Sequence, residues 1–362
     1  MQAHSERIAE ADNRAERGGR QSTGLDLAQR LGRDAGRLCH VAEVTKIEPP
    51  TGDLSRQVSD AYFASLNRGK RSICLDLSTE EGQERLGELA SVSHALLVNL
   101  KPSAIRKFGL TYESLRTRND KIVCVALTGY GLHNGDDPAF DYVIQAVTGV
   151  AALTGDPGGP PTLPGYSAAD NSTGLTAALG LLAQIVSGRG GQLDVSLHDV
   201  MLSQLNYRAS AYLNEGTAPR RMPHGAHSYY VPAQLFPTAD GTLALFITHD
   251  GFWRTFAAEA GIDGFGTMAE RAARRDEVLE VVTAVLAGDS ASGWERRLRP
   301  LGVPAAAVRS LPDALEATPD AVITAGDFRL VGSPIRIEGY EPRYGAPPRL
   351  GEHNDDVPAP SL

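Results

Sequence analysis

The residue with the plainest chemical opportunity is Asp170, in the segment GYSAADNSTG at 165–174. Two alanines precede it, Asn171, Ser172 and Thr173 follow, and an apolar helix is predicted from Gly174 to Val186. An aspartate in that place has two readings. In one it is the helix cap, accepting from amides that a first turn leaves unbonded. In the other it is a nucleophile: the positive end of the helix dipole keeps the carboxylate ionised, and small neighbours let an electrophilic carbonyl approach. The two readings are compatible.

A second cluster is basic. SLNRGKRS at 65–72 places Asn67, Arg68, Gly69, Lys70 and Arg71 in a turn ahead of a predicted strand. It reads either as a solvated turn or as a clamp for phosphate groups. Lys101, Arg106 and Lys107 form another basic group just beyond a strand that ends near Asn99. In open α/β sheets, ligands collect beyond the C-terminal ends of strands. Other chemistries lack their residues. The nine histidines form no HExxH or Cys/His cluster; the nearest pair, His224 and His227, lies in a turn-rich loop. GxSxG, GxGxxG and GxxxxGK[ST] are all absent.

The rest of the chain must position these groups. Its 362 residues suit two domains, and 42% hydrophobic with 22% charged residues is ordinary globular composition. A formal charge of -9 argues against a nucleic-acid partner. Cys39, Cys74 and Cys124 make no CxxC pair and read as reduced thiols. The N-terminus has no apolar stretch of a secretory signal, and no run is long enough for a membrane helix, so a soluble cytoplasmic protein is expected.

Residues 1–23 read as a polar arm, and from Gly24 the pattern becomes α/β. Apolar residues recur at helical spacing over Leu25–Cys39. Strands are predicted at 41–48, 71–77, 94–100, 121–130 and from 190, with helices between them. The Ser78-to-Glu81 spacing predicts a capping box. Strands alternating with helices imply one parallel, Rossmann-like sheet covered on both faces. This large domain is expected over 24–212, completed by the tail 331–362. Turn formers around 213–232 lead to a smaller α+β domain at 225–330, with a strand pair joined by Asp240-Gly241 and helices near 251–260 and 268–287.

A series of segments then resembles the family III CoA-transferases, the CaiB/BaiF family that includes formyl-CoA and carnitine CoA-transferases and the related methylacyl-CoA racemase. Between residues 44 and 353 it runs TKIEPPTGDLSR, SLNRGKRSICLDLSTEEG, LLVNLKPSAIRKFGLTYESL, TGYGL, FDYVIQAVTGV, GPPTLPG, AADNSTGLTAALGLL, GGQLDVSLHDVML, LGVPAAAV, SPIR and APPRLGEH, in family order. The resemblance implies that Asp170 forms the acyl-enzyme. It implies that Asn67, Arg68, Gly69 and Lys70 grip coenzyme A, that Asn99, Leu100 and Lys107 contact it, and that Tyr130 lies near the pantetheine. Coenzyme A is implied as a substrate alongside a carboxylate, with no metal.

Interlocked homodimers are implied as well. Racemases carry a histidine before the aspartate of FDYVIQA; Phe140 stands there, so transfer is implied rather than racemisation. Two features depart from the family. The opening strand of type VLDLS…AGP is not found ahead of residue 41. Thr128 and Pro49 stand where lysine and arginine are common, which implies a thinner basic clamp. An acyl-CoA racemase or epimerase, and a non-catalytic subunit of a heteromeric transferase, are the alternative readings.

Overall fold

The computed structural model describes residues 43–356. The polar arm, the helix at 25–39 and the opening strand concern residues outside that range. The described residues divide into two units. One holds those up to Thr148, Gly165–Asn206 and those from Pro319 onward; the other holds Gly149–Pro164 and Tyr207–Thr318.

The first unit carries β1 (Thr45–Glu48), α1 (Asp60–Asn67), β2 (Arg71–Cys74), α2 (Glu80–Val92), β3 (Ala95–Val98) and α3 (Pro102–Lys107). It continues with β4 (Val123–Thr128), α4 (Asp141–Val147), α5 (Ala168–Val186), β5 (Gly191–Ser196) and α6 (Leu197–Gln204). β4 is the centre of a parallel sheet, with Val98 opposite Ala126 and Thr128 opposite Ser196. All its residues are buried, as a nearly continuous apolar run requires of a strand covered on both faces. Val123, Val125 and Leu127 pack on Ala177 and Leu181 of α5. On the other face Ala126 joins a core with Leu86 and Leu89 of α2 and Ile105 of α3. Burying each large side chain there contributes about 1.5–3 kcal/mol.

The expected single parallel sheet is instead two hydrogen-bonded sheets. β1 pairs in parallel with β2, and their partners do not include β3. The reason lies at both free edges. On the far side of β2, the Ser72 amide donates to His353 Nδ1, the Ser72 carbonyl accepts from the His353 amide, and the Cys74 amide donates to Asn354 Oδ1. Between β1 and β3 lies a cavity of about 80 Å³, lined by Thr45 and Ile47 from one side and Ala95, Leu96 and Leu97 from the other. Both sheets still share one core, in which Ile47 and Ile73 meet Val98.

The capping residue of α2 is also corrected. Thr79, not Ser78, accepts from the Gly82 amide at 3.0 Å. Ser78 is engaged by Asp76, whose Oδ1 accepts from both its amide and its hydroxyl. Cys124, sealed in β4, is a free thiol pushed up to about 12 by burial.

The second unit is an antiparallel sheet of β6 (Ala233–Pro237), β7 (Thr242–Phe246) and β8 (Ala305–Ala307), packed with α7 (Asp250–Ala260), α8 (Met268–Ala273), α9 (Arg275–Leu286) and α10 (Ala291–Leu298). Its core holds Phe236, Leu243, Trp253, Phe256, Val278 and Trp294. Arg271 is fully buried there, donating to the Val231 and Phe265 carbonyls and to Asp250 Oδ1, with its guanidinium over Trp253. The chain then adds a hairpin to the first unit, β9 (Val322–Ala325) and β10 (Phe328–Val331). No described helix is long and apolar enough to cross a membrane.

Candidate active site

Asp170 is the third residue of α5, which starts at Ala168 rather than at the predicted Gly174. The capping reading of Asp170 is thereby corrected. The cap position belongs to Ser167, whose side chain makes no capping bond. The amides of the first turn are met from another helix: Asp141 Oδ1 accepts from Ala169 N at 2.7 Å and from Asp170 N at 3.1 Å. The Asn171 amide donates to the Ser167 carbonyl. These three amides are therefore engaged within the fold and are not vacant for an oxyanion. Asp170 sits half-buried in this turn, at the end where the helix dipole favours an anion.

α5 packs against β4 and leads into β5 within a few residues, so it runs antiparallel to the strands. Its N-terminus, with Asp170, thus lies at the edge where the parallel strands end. The same edge carries Asn99 and Leu100 after β3 and Tyr130 after β4. Leu100 packs on the core, and Asn99 Oδ1 is buried without a hydrogen bond among the described residues. Lys107 ends α3, exposed, with its ammonium 5.4 Å from the Phe108 ring.

Tyr130 occupies a tightly built turn. The Gly131 amide donates to Thr128 Oγ1 at 2.7 Å and the Leu132 amide to Asp194 Oδ2 at 2.7 Å. Arg106 Nη1 binds the Leu132 carbonyl at 2.8 Å, so this basic residue braces the turn. Gly129 has no room for a side chain: a Cβ there would lie 2.1 Å from that of Ala139. The Tyr130 ring meets His198, at the start of α6, with centroids 5.7 Å apart. Phe140, the cap residue of α4, is 63% exposed.

The basic loop forms its own cluster ahead of β2. Asn67, Arg68 and Lys70 are 0%, 5% and 6% exposed, which removes the solvated-turn reading. Lys70 Nζ donates to Asn67 Oδ1 at 3.1 Å, Asn67 Nδ2 to the Phe63 carbonyl, and Arg68 Nη1 to the Ser65 carbonyl. Gly69 adopts φ +71° and donates its amide to the Ala346 carbonyl, while Gly345 lies against its Cα. A segment far along the chain thus covers the loop.

A buried ionic network also breaks the apolar pattern of β1 and reaches Ser72 of β2, the strand that the loop leads into. Lys46 Nζ donates to Asp53 Oδ2, and Arg56 makes a two-pronged pair with Glu48 at 2.7 and 2.8 Å. Ser72 Oγ also donates to Glu48, and the Ser55 amide and hydroxyl donate to Asp53. Burial alone would raise the Glu48 carboxyl. The hydrogen bonds from Arg56 and Ser72 and the charges of Lys46 and Arg56 together hold it below the ordinary carboxylate range. For Asp53, likewise, burial is outweighed by the Lys46 charge and the bonds from Lys46 and Ser55.

The sequence reading missed Asp141, Gln145 and His198 at this site. FDYVIQA carries Asp141 and Gln145 four residues apart on one helical face, which was the available signal. Among the described residues, no group of His, Cys, Asp or Glu is placed to hold a metal ion.

The family model described as CoA-transferase family III matches residues 40–354. Succinate–glutarate CoA-transferase of Agrobacterium fabrum is 32% identical, over 87% of this chain and 88% of that one. Succinyl-CoA:mesaconate CoA-transferase of Haloarcula marismortui is 31% identical, over 92% and 93%. Among solved structures, a CaiB/BaiF family protein from Brucella suis aligns with a TM-score of 0.77 at 29% identity, covering 91% of this chain and 94% of its own.

Proposed function

The chain belongs to CoA-transferase family III, and from that premise we propose that Asp170 carries coenzyme A from an acyl-CoA donor to a free carboxylic acid. The observation that carries this reading is an aspartate in the first turn of a long helix, at the strand-end edge of the parallel sheet. Its carboxylate attacks the thioester carbonyl, forming an acid anhydride and releasing CoA thiolate. The thiolate attacks the Asp170 carbonyl, expelling the donor acid and leaving an aspartyl thioester. The acceptor carboxylate attacks that carbonyl, which again releases the thiolate and gives a second anhydride. Attack of the thiolate on the acceptor's carbonyl yields the new acyl-CoA and restores Asp170. Water must be excluded throughout, because each intermediate hydrolyses.

In this reading Asn99, Leu100, Lys107 and Tyr130 hold coenzyme A at the strand-end edge, and Asn67, Arg68, Gly69 and Lys70 contribute the buried basic loop. The named relatives act on succinate, glutarate and mesaconate, which makes a short dicarboxylate the acid to test first. Phe140 supplies no acid or base, which supports transfer over racemisation. A homodimer is supported by an exposed stripe on α5, where Leu175, Leu179, Leu182 and Val186 recur at helical spacing.

The test supplies acyl-CoA donors with and without dicarboxylate acceptors. New thioesters are expected with both substrates, and a hydroxylamine-trappable acyl group on the Asp170 peptide with donor alone. Asp170→Ala should lose both signals while keeping its circular dichroism spectrum. Transfer by Asp170→Ala within about tenfold of wild type would sink the covalent mechanism.

A further inference from the structure

We propose that Asp141 is the positioning residue of the nucleophile: its carboxylate reaches from α4 to the first turn of α5 and fixes the backbone from which Asp170 projects. The proposal rests on the reading of Asp170 as nucleophile. Asp141 Oδ1 bridges two consecutive amides, Ala169 N at 2.7 Å and Asp170 N at 3.1 Å. Its Oδ2 is held by Gln145 Nε2 at 2.5 Å, one helical turn along α4. Asp141 is 7% exposed and Gln145 fully buried, so neither bond competes with bulk water.

Capping alone does not call for this arrangement. Ser167 is at the cap position and is a favoured capping residue type. Its φ of -74° and ψ of 82° depart from the extended conformation of a side-chain cap, and its hydroxyl goes unused there. In place of a local neutral cap the fold brings in a buried carboxylate from 28 residues away. A buried charge is costly unless it is well bonded, and here three donors meet it. The gain is rigidity between two helices at the point where an ångström of misplacement slows a reaction steeply.

The experiment measures the single-turnover rate at which donor acyl-CoA labels the protein, trapped with hydroxylamine, and the dissociation constant of coenzyme A. Asp141→Ala is expected to slow acylation at least about 30-fold with coenzyme A affinity within about twofold, because the loss falls on alignment rather than binding. Asp141→Asn should keep the rate within about fivefold, a rescue that separates capping from general destabilisation. Its Oδ1 still accepts from both amides. Gln145 Oε1, buried and without a hydrogen bond among the described residues, can turn to accept from the new amide. Hydrogen exchange of the peptide spanning Ala169 and Asp170 should quicken in Asp141→Ala and not in Asp141→Asn.

An Asp141→Ala rate within about threefold of wild type overturns the proposal, as does an Asp141→Asn variant that folds yet is as slow as Asp141→Ala. Should Asp141→Ala aggregate, Gln145→Leu takes its place in the same assay. A fall of about tenfold is expected and a wild-type rate overturns the idea. Asp170→Ala run in parallel separates the two failures. If it still labels, the nucleophile reading falls; if it is dead while Asp141→Ala is normal, only the positioning role falls.

Discussion

Replacing Lys46 with methionine removes a cation from the buried network of β1 and leaves its anion behind. The Lys46 and Asp53 side chains are 2% and 0% exposed, so no solvent takes over the lost charge. Asp53 keeps its bonds from Ser55, yet an unpaired buried carboxylate remains. Removing one partner of such a pair costs about 3–5 kcal/mol. At about 2–4 °C per kcal/mol for a domain of this size, the melting temperature should fall by ~6–20 °C. Urea unfolding monitored by circular dichroism, with a thermal scan beside it, measures both. The pH dependence follows from the same pair. In the wild type the Asp53 carboxyl lies below its ordinary value, so its pairing stabilises the fold above the unfolded value and that contribution is lost as pH falls through the folded one. In Lys46→Met burial dominates and favours the acid form, so the gap to wild type should be wide at pH 7 and narrow as pH falls below the ordinary aspartate range. Adding Asp53→Asn should recover most of the loss, because no charge is then stranded. A single-variant loss under about 1 kcal/mol, or a double variant as unstable as the single, would refute the reasoning.

Two further outcomes are expected. Lys107→Ala, at an exposed helix end, should weaken coenzyme A binding by about 1–3 kcal/mol in calorimetry, the range for a charge-assisted hydrogen bond, and an unchanged dissociation constant would remove Lys107 from the clamp. Leu179→Asp, in the middle of the exposed α5 stripe, should convert a dimer to a single-chain mass in light scattering. A wild-type protein that already runs at one chain's mass would end the dimer reading.

The strands were legible because each is a short apolar run closed by turn formers, as in KIVCVALT leading to Gly129. The start of α5 was not, and it was placed six residues late. Ala168 through Thr173 carry no apolar stripe, and the group that stabilises them, Asp141, comes from another helix. Ser78 and Thr79 are adjacent hydroxyls, and only the capture of Ser78 by Asp76 decides between them. The aspartate and the basic residues stood out by type and neighbours. The burial of the basic loop did not, because the residues against Arg68 and Gly69, Tyr344 and Ala346, lie far along the chain, outside any local window.

The bonds from His353 and Asn354 to β2 join residues some 280 positions apart. Until the last residues of the described chain arrive, the outer edge of β2 presents its Ser72 and Cys74 amides with nothing to receive them. During synthesis that edge stays open while the whole intervening chain is made, long enough to accept a strand from a neighbouring copy. A nascent or proteolysed chain ending short of His353 therefore carries an adhesive edge that a chain reaching Asn354 conceals. Shortening at that end should show first as aggregation in the cell, well before any change in the activity of the molecules that fold.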